Sequence, residues 1–251
     1  MIRTAIVAIF LSLYTLIAGP FLLLHAWITG NPDFLFHAGV SGAYFISYVV
    51  GMRIKIEGRE KVPSGVCLFV ANHTSFADPV GTVWAIPRRI AILAKKSLFS
   101  IPLIGWAFRL AKFVPVDRSH RESAMASVDL AAERMKQGIS FLAYPEGTRS
   151  YDGRLLPFKK GVFIMAIKAG VQIVPMGQAG AHRIAPKKSL KIHPGEVIVR
   201  FGDPIDAGKY SLDQRDELAT RVHAAMADLL PPDQKPLDPS NTLRKDSPNP
   251  P

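Results

Sequence analysis

His73 and Asp78 lie five residues apart, directly after the apolar run 66–71. Histidine has the side-chain pKa closest to neutrality, and a carboxylate that reaches its second ring nitrogen fixes the tautomer and stabilises the imidazolium. A tight turn leading into a helix would bring two residues at this spacing together. His73 is therefore a candidate general base, with Asp78 as the residue that orients it. A histidine that merely caps a turn would have the same neighbours, so a second motif has to decide.

A second polar motif, Glu146-Gly147-Thr148-Arg149-Ser150, follows another apolar run at 139–143. The segment Val114-Pro115-Val116-Asp117-Arg118 lies between the two motifs, and Ile173-Val174-Pro175-Met176 follows them. In this order the four segments resemble the glycerolipid acyltransferase family, and within it the 1-acylglycerol-3-phosphate acyltransferases. The resemblance covers residues 50–205. It rests mainly on the first and third segments, since the second matches only through Asp117 and Arg118.

The resemblance implies transfer of an acyl group from acyl-CoA or acyl carrier protein to the free hydroxyl of 1-acylglycerol 3-phosphate. A thioester is already activated, so the reaction needs a base for the hydroxyl proton, donors for the oxyanion and a means of holding both substrates, but no covalent serine. Guanidinium groups suit the phosphate of the acceptor, a carboxylate suits a glycerol hydroxyl, and a glycine allows close backbone approach. An asparagine beside the histidine would order the turn. The candidate substrate-binding residues are Asn72, Arg118, Glu146, Gly147, Thr148 and Arg149.

The composition favours a membrane-associated protein. Hydrophobic residues make up 48% of the 251 residues, the mean hydropathy is +0.16, and the net charge is +11. A single cysteine and seven histidines without ligand spacing predict no metal, and no cofactor is expected beyond the acyl donor. The basic residues concentrate in segments 87–121 and 153–195, the latter without any Asp or Glu. Because no nucleic-acid-binding motif is present, anionic lipid and phosphorylated substrates are the expected partners.

Residues 1–52 predict a membrane-anchoring helical hairpin. The segment 5–28 is almost wholly apolar, which is long enough to cross a hydrocarbon core, although a cleaved signal peptide has similar composition. A turn at 29–33 leads to the apolar segment 34–52, whose small residues would let two helices approach closely. The pair either spans the membrane or enters one leaflet. Basic residues before and after it favour return of the chain to the cytoplasmic side.

Residues 53–230 predict an α/β domain, a layered sheet with helices on both faces. Continuous apolar strands at 66–71, 90–94, 113–116, 139–144, 171–176 and 197–201 alternate with helical patterns at 79–85, 121–137, 161–169 and 211–230. In such sheets the functional residues collect at strand ends. The tail 231–251 holds seven of the 20 prolines and few large apolar residues, and is predicted to be disordered.

The expected function is that of a membrane-bound 1-acylglycerol-3-phosphate O-acyltransferase, which forms phosphatidic acid with its catalytic domain on the cytoplasmic face of the membrane. Another lysophospholipid, a lyso-aminolipid or glycerol 3-phosphate would fit the same motifs. A lipid hydrolase is disfavoured, because no Gly-x-Ser-x-Gly elbow is present. A non-enzymatic lipid-binding protein would explain the charge and the hairpin, but not His73, Asp78 and Glu146 together at strand ends. The sequence leaves the oligomeric state open.

Overall fold

The computed structural model describes residues 1–117 and 121–244. Its helices are α1 Ile2–Thr29, α2 Asp33–Val49, α3 Asp78–Ala85, α4 Ile104–Leu110, α5 Arg121–Lys136, α6 Gly161–Ala169, α7 Ala181–Ile184 and α8 Arg215–Asp228. Its strands are β1 Met52–Glu57, β2 Cys67–Ala71, β3 Ala91–Lys95, β4 Val114–Val116, β5 Phe141–Ala143, β6 Gln172–Ala179, β7 Gly195–Phe201 and β8 Ile205–Asp206. Most of these bounds agree with the sequence patterns to within two residues.

The strands form one mixed sheet in the order β1-β7-β6-β2-β5-β3-β4 within the described residues, with β8 also paired to β6. The central strands β2, β5 and β6 run parallel, as their continuous apolar sequences predict. The strand β7 runs antiparallel to β6, while β1 is parallel to β7. Because β2 and β5 are parallel neighbours, their carboxyl ends lie at the same edge of the sheet.

Helices cover both faces of the sheet, which confirms the predicted layered α/β domain. Along β2 the side chains alternate between the two faces, so Leu68 and Val70 belong to one core and Cys67 and Phe69 to the other. The first core includes residues of α5, α6 and α8, and the second includes residues of α3 and α7. Because both faces of the sheet are buried, the polar residues that follow the central strands collect at the edge where these strands end.

Helices α1 and α2 form a pair that packs against the domain. The Tyr14 hydroxyl donates a hydrogen bond to the Ala38 carbonyl oxygen at 2.9 Å. A Cβ atom on Gly42 would lie 2.9 Å from the Tyr14 ring, so the small residue permits the close approach that the sequence predicts. The α1 helix continues through Pro20 for 28 residues and, of the described residues, is the helix long and apolar enough to cross a membrane. Length and composition alone do not distinguish a span from an anchor that lies in one leaflet.

The prediction of a disordered tail at 231–251 is wrong for residues 231–244. The Gln234 side chain is buried, and its backbone oxygen accepts a hydrogen bond from the Leu155 amide at 2.9 Å. The Phe158 amide donates to the Thr242 oxygen, and the Phe158 oxygen accepts from the Arg244 amide, each at 2.9 Å. These long-range backbone bonds stabilise a segment with few apolar side chains, which composition cannot reveal. Residues 245–251 lie outside the described residues.

Candidate active site

The two polar motifs meet at the carboxyl edge of the parallel strands. Strand β2 ends at Ala71 and its neighbour β5 ends at Ala143, so the residues that follow each strand emerge side by side. The backbone oxygen of His73 accepts a hydrogen bond from the Ser150 amide at 2.8 Å. This bond joins the loop of the first motif to the loop of the second. The edge is where an open α/β sheet usually forms its site.

His73 and Asp78 form a hydrogen-bonded pair. The imidazole Nδ1 lies 2.7 Å from Asp78 Oδ2, and the side chain of His73 is 22% exposed. Asp78 is the first residue of α3, so the turn after β2 leads directly into the helix as the spacing predicts. With Nδ1 occupied by the carboxylate, Nε2 is the ring nitrogen that can take a proton from a substrate. This is the geometry of a general base with its orienting carboxylate.

Asp78 is fully buried and held by several donors. The backbone amides of Thr74 and Ser75 donate to its Oδ2 at 2.5 and 2.7 Å. The side chain of Gln178 donates from Nε2 to its Oδ1 at 2.6 Å. Sequence reasoning missed Gln178, which comes from β6 and stands 100 residues away along the chain. A polar residue inside the apolar β6 run was the signal that could have identified it.

Tyr144 forms one wall of the site and was not among the predicted residues. Its ring stacks on the His73 imidazole with the ring centroids 4.4 Å apart. The Tyr144 hydroxyl lies 2.8 Å from the Thr82 hydroxyl. Burial, followed by the negative charge of Asp78, raises the pKa of the Tyr144 phenol far above its ordinary value. The phenol therefore stays neutral and acts as a packing surface that fixes the plane of the imidazole.

Glu146 contacts the backbone of the site rather than its open side. The carboxylate is fully buried; Oε2 accepts from the His73 amide at 3.1 Å and Oε1 from the Leu156 amide at 3.4 Å. Burial raises the pKa of Glu146 well above its ordinary value and the charge of Asp78 adds to this, while the two backbone bonds oppose it. In this arrangement Glu146 holds the backbone of His73, and its contact with a glycerol hydroxyl stays a prediction.

Asn72 orders the turn by completing the sheet beyond the end of β2. Its side-chain oxygen accepts from the Gln178 amide at 2.7 Å, and its side-chain nitrogen donates to the Gln178 carbonyl at 2.9 Å. Asn72 is fully buried and its side chain bonds to the Gln178 backbone, while its predicted contact with a substrate stays a prediction. These bonds match the turn-ordering role inferred from the sequence. They also fix Gln178 at the place where its side chain reaches Asp78.

Arg149 lies at the open side of the site. Its guanidinium stacks over the ring of Phe76, with Cζ 3.5 Å from the ring centroid, and Phe76 is 67% exposed. The guanidinium Nη1 is buried and has no hydrogen-bond partner among the described residues. The neighbouring Thr148 hydroxyl accepts from Lys187 Nζ at 3.4 Å. A planar cation with an unsatisfied donor is suited to an oxyanion of a substrate.

Gly147 adopts φ +68°, a backbone conformation that favours glycine. A Cβ atom at this position would also lie 2.9 Å from Lys159 Cε. The glycine therefore lets the second motif turn sharply between the fully buried Glu146 and the half-buried Arg149. Arg118, the other predicted phosphate ligand, lies outside the described residues. The Oδ2 atom of the preceding residue, Asp117, lies 3.6 Å from Lys96 Nζ.

The polar side chains of the site are held together by hydrogen bonds within the described residues. No group of three His, Cys, Asp or Glu side chains comes together in residues 1–117 and 121–244 to form a metal centre. The carboxylates of the site are occupied by protein donors: Asp78 by Gln178 and two backbone amides, and Glu146 by two backbone amides.

Comparisons with known proteins agree with this geometry. The acyltransferase family model matches residues 53–178. A 1-acyl-sn-glycerol-3-phosphate acyltransferase from Cocos nucifera is 35% identical over 193 residues, which cover 76% of this chain and 62% of that protein. The protein of the same name from Limnanthes douglasii is 33% identical over 197 residues, covering 78% and 70%. The chain thus spans about two thirds of the length of these relatives.

The fold is also that of a solved structure. The crystal structure of the 1-acyl-sn-glycerophosphate acyltransferase from Thermotoga maritima superimposes with a TM-score of 0.78 and 25% sequence identity. The match covers 91% of this chain and 95% of that one. Fold, family model and relatives lead to the same conclusion: this chain belongs to the acyltransferase family.

Proposed function

We propose that the protein transfers a fatty acyl group from a thioester donor to the free hydroxyl of 1-acylglycerol 3-phosphate, giving phosphatidic acid. The observation that carries the proposal is the His73–Asp78 pair, with Nδ1 and Oδ2 2.7 Å apart at the open edge of the sheet. The names of the relatives from Cocos nucifera and Limnanthes douglasii support the choice of acceptor. Acyl-CoA and acyl-loaded acyl carrier protein both hold the acyl group as a thioester, and either fits the chemistry.

In this reaction His73 Nε2 accepts the proton of the acceptor hydroxyl as the oxygen attacks the thioester carbonyl carbon. The carbonyl oxygen becomes an oxyanion in the tetrahedral intermediate. The intermediate collapses, the C–S bond breaks, and the imidazolium returns the proton to the leaving thiolate. Asp78 stabilises the imidazolium while it exists, and general base catalysis of this kind contributes roughly 10²- to 10⁴-fold. No covalent acyl-enzyme is needed.

The acceptor phosphate is assigned to Arg149, with Arg118 as the second expected ligand. The buried Nη1 of Arg149 lacks a partner, and phosphate oxygens would satisfy it. Phe76 holds the guanidinium plane from one side, so that the other side faces the substrate. Arg149 lies between Glu146 and Ser150, which both bond to the His73 backbone, so a phosphate bound there would place the acceptor next to the base.

The position of α1 supports a membrane attachment in which the helix lies along the domain within one leaflet. Near its start the Thr4 hydroxyl donates to the Leu190 carbonyl oxygen of the domain. Near its other end Leu23 and Ala26 are buried in a cluster with Leu103 of the segment before α4. A helix of 28 residues is about 42 Å long, so a membrane-crossing α1 would carry one end away from the domain. Both ends instead contact it.

The decisive experiment for the function is a product assay. Purified protein in detergent is incubated with acyl-CoA or acyl carrier protein thioester and a panel of lysolipids, and the products are identified by mass. We expect phosphatidic acid from 1-acylglycerol 3-phosphate and release of the thiol only when this acceptor is present. Turnover of a lyso-aminolipid, of another lysophospholipid or of glycerol 3-phosphate in its place would reassign the acceptor. Hydrolysis without an acceptor would contradict acyl transfer.

A further inference from the structure

The loop 185–194, called here the lysine loop, connects α7 to β7 and lies between the candidate active site and the N-terminal helix. At its start the Ala185 carbonyl accepts from the Ser75 hydroxyl at 2.8 Å, and Lys187 Nζ donates to the Arg149 carbonyl at 2.6 Å. At its middle the Leu190 carbonyl accepts from the hydroxyl of Thr4 in α1. The loop therefore touches both catalytic motifs and the first turn of the apolar helix.

The side chains that the lysine loop exposes are apolar and basic together. Leu190 is 74% exposed, and the exposed Lys188 and Lys191 flank it. Next to the loop, Tyr151 is 63% exposed, and Lys187 Nζ lies 3.6 Å from its ring centroid. An exposed leucine and a tyrosine among lysines is the combination found at the boundary between lipid headgroups and acyl chains.

The positive charge of the loop is not neutralised within the protein. The segment 153–195 contains no Asp or Glu, and among the residues that the structure describes no carboxylate forms an ion pair with Lys188 or Lys191. Arg183, by contrast, pairs with Asp233 at 2.6 Å. The two lysines are therefore available to an anionic partner outside the chain.

The neighbouring helix indicates what this partner is. The first turns of α1, next to Leu190, expose Ile2, Ile6 and Ile9 to the surroundings. An acidic protein would be attracted by the lysines but would gain little from a row of isoleucines that continues to Leu190. A membrane surface satisfies both sets of side chains, because acyl chains take up the apolar groups and phosphate headgroups pair with the ammonium groups.

We propose that the lysine loop is a second membrane contact, separate from the helix pair, which binds the headgroups of anionic phospholipids beside the acceptor site. The inference rests on the proposed function as a membrane acyltransferase. Its consequence is orientation: since Lys187 holds the Arg149 carbonyl, lipid bound by the loop lies next to the guanidinium assigned to the acceptor phosphate. An acceptor diffusing in the leaflet would then reach His73 without leaving the lipid surface.

A polarity-sensitive dye tests the contact directly. The dye is attached to Leu190→Cys in a full-length Cys67→Ser protein, and to Leu212→Cys as the matched control. Leu212 is also exposed, but it precedes α8 and belongs neither to the lysine loop nor to α1. With vesicles of equal parts phosphatidylcholine and phosphatidylglycerol, we expect a blue shift for the dye at position 190 and none at position 212. No shift at 190, or equal shifts at both positions, would overturn the proposal.

The role of charge is tested with Lys188→Gln/Lys191→Gln against Lys136→Gln/Lys209→Gln, which removes the same charge outside the lysine loop. In the loop variant, the ratio of binding to anionic over neutral vesicles is expected to fall by up to about fivefold per lysine. Its activity in detergent should equal that of the wild type. If the loop variant kept its preference for anionic vesicles but was less active with the acyl carrier protein thioester, the loop would be a docking surface for the carrier. That result would refute the lipid contact. The dye shift requires no turnover, so it remains informative even if the proposed reaction fails.

Discussion

Gln178 Nε2 lies 2.6 Å from Asp78 Oδ1, and through this bond the strand β6 reaches the catalytic pair. Gln178 is fully buried, and Asn72 fixes its backbone with two hydrogen bonds. A series of hydrogen bonds thus runs from the solvent-accessible imidazole of His73 through Asp78 to Gln178 in the core. The carboxylate is held on both oxygens, which prevents it from rotating away from His73.

Replacing Gln178 by Met should lower kcat while leaving the KM of both substrates nearly unchanged. A hydrogen bond to a charged group contributes about 1.5–3 kcal/mol, so we expect a loss of roughly 10- to 100-fold when Asp78 is no longer held. The matched control is Gln172→Met, at the other end of β6, which should retain its activity. Steady-state kinetics distinguish the two variants, and a large rise in either KM would contradict a positioning role for Gln178.

His73→Ala should remove nearly all transfer, by about 10²- to 10⁴-fold in kcat, because it deletes the general base. Asp78→Asn should give a large but smaller loss. The measurement is the rate of thiol release in the presence of lysolipid, with circular dichroism to verify folding. His193→Ala, an exposed histidine in the lysine loop, is the control and should be fully active. A folded His73→Ala protein that keeps more than about a tenth of the rate would refute the mechanism.

Arg149→Ala should raise the KM of the acceptor more than the KM of the donor, because the guanidinium is assigned to the acceptor phosphate. Arg149→Lys should recover part of the loss, since it keeps the charge but not the bidentate geometry. The same result is expected for Arg118→Ala, a residue for which the sequence is the only guide. Equal changes in the two KM values would count against the assignment to the phosphate.

Glu146→Gln should change how stability depends on pH. Because burial raises the pKa of Glu146 in the folded protein, its favourable contribution is complete below the ordinary value of 4.5 and is lost as the pH rises toward the raised value. The glutamine does not titrate, but its amide nitrogen can accept neither the His73 nor the Leu156 bond. The variant should therefore be less stable than the wild type in acid and recover relative stability as the pH increases above 4.5.

Denaturant unfolding at several pH values measures this difference. Glu60→Gln, which replaces an exposed glutamate, provides the control for removing a carboxylate elsewhere in the domain. If Glu146→Gln became less stable than the wild type with increasing pH, the buried carboxylate would have to be ionised and favourable in the folded state.

Single cysteines should reveal the path of the N-terminal helices in intact cells. In a Cys67→Ser background, Asn31→Cys lies in the turn between α1 and α2, and Lys61→Cys lies after β1. If α1 lies along the domain in one leaflet, an impermeant reagent added outside should label neither position. Lysed cells, in which both should react, provide the control. External labelling of Asn31→Cys alone would indicate a membrane-spanning pair, and external labelling of Lys61→Cys would reverse the proposed orientation.

Local sequence determined most of the secondary structure and the pairing of His73 with Asp78. Continuous apolar runs bounded by polar residues predicted the central parallel strands, because a strand buried on both faces carries apolar side chains on each face. The five-residue spacing of His73 and Asp78 predicted a turn entering a helix, and the structure has this turn. Contacts of this kind span only a few residues, so residue type and spacing are sufficient to infer them.

Only the tertiary structure revealed how the rest of the site is built. Gln178 reaches Asp78 across 100 residues, the tail residue Gln234 bonds to Leu155, and Glu146 turns inward to the His73 amide. In each case a buried polar group is satisfied by a partner that is remote along the chain. Residue type shows that such a group needs a partner, but the partner depends on which strands are neighbours in the sheet. That order is set by the packing of the whole domain, and no local pattern contains it.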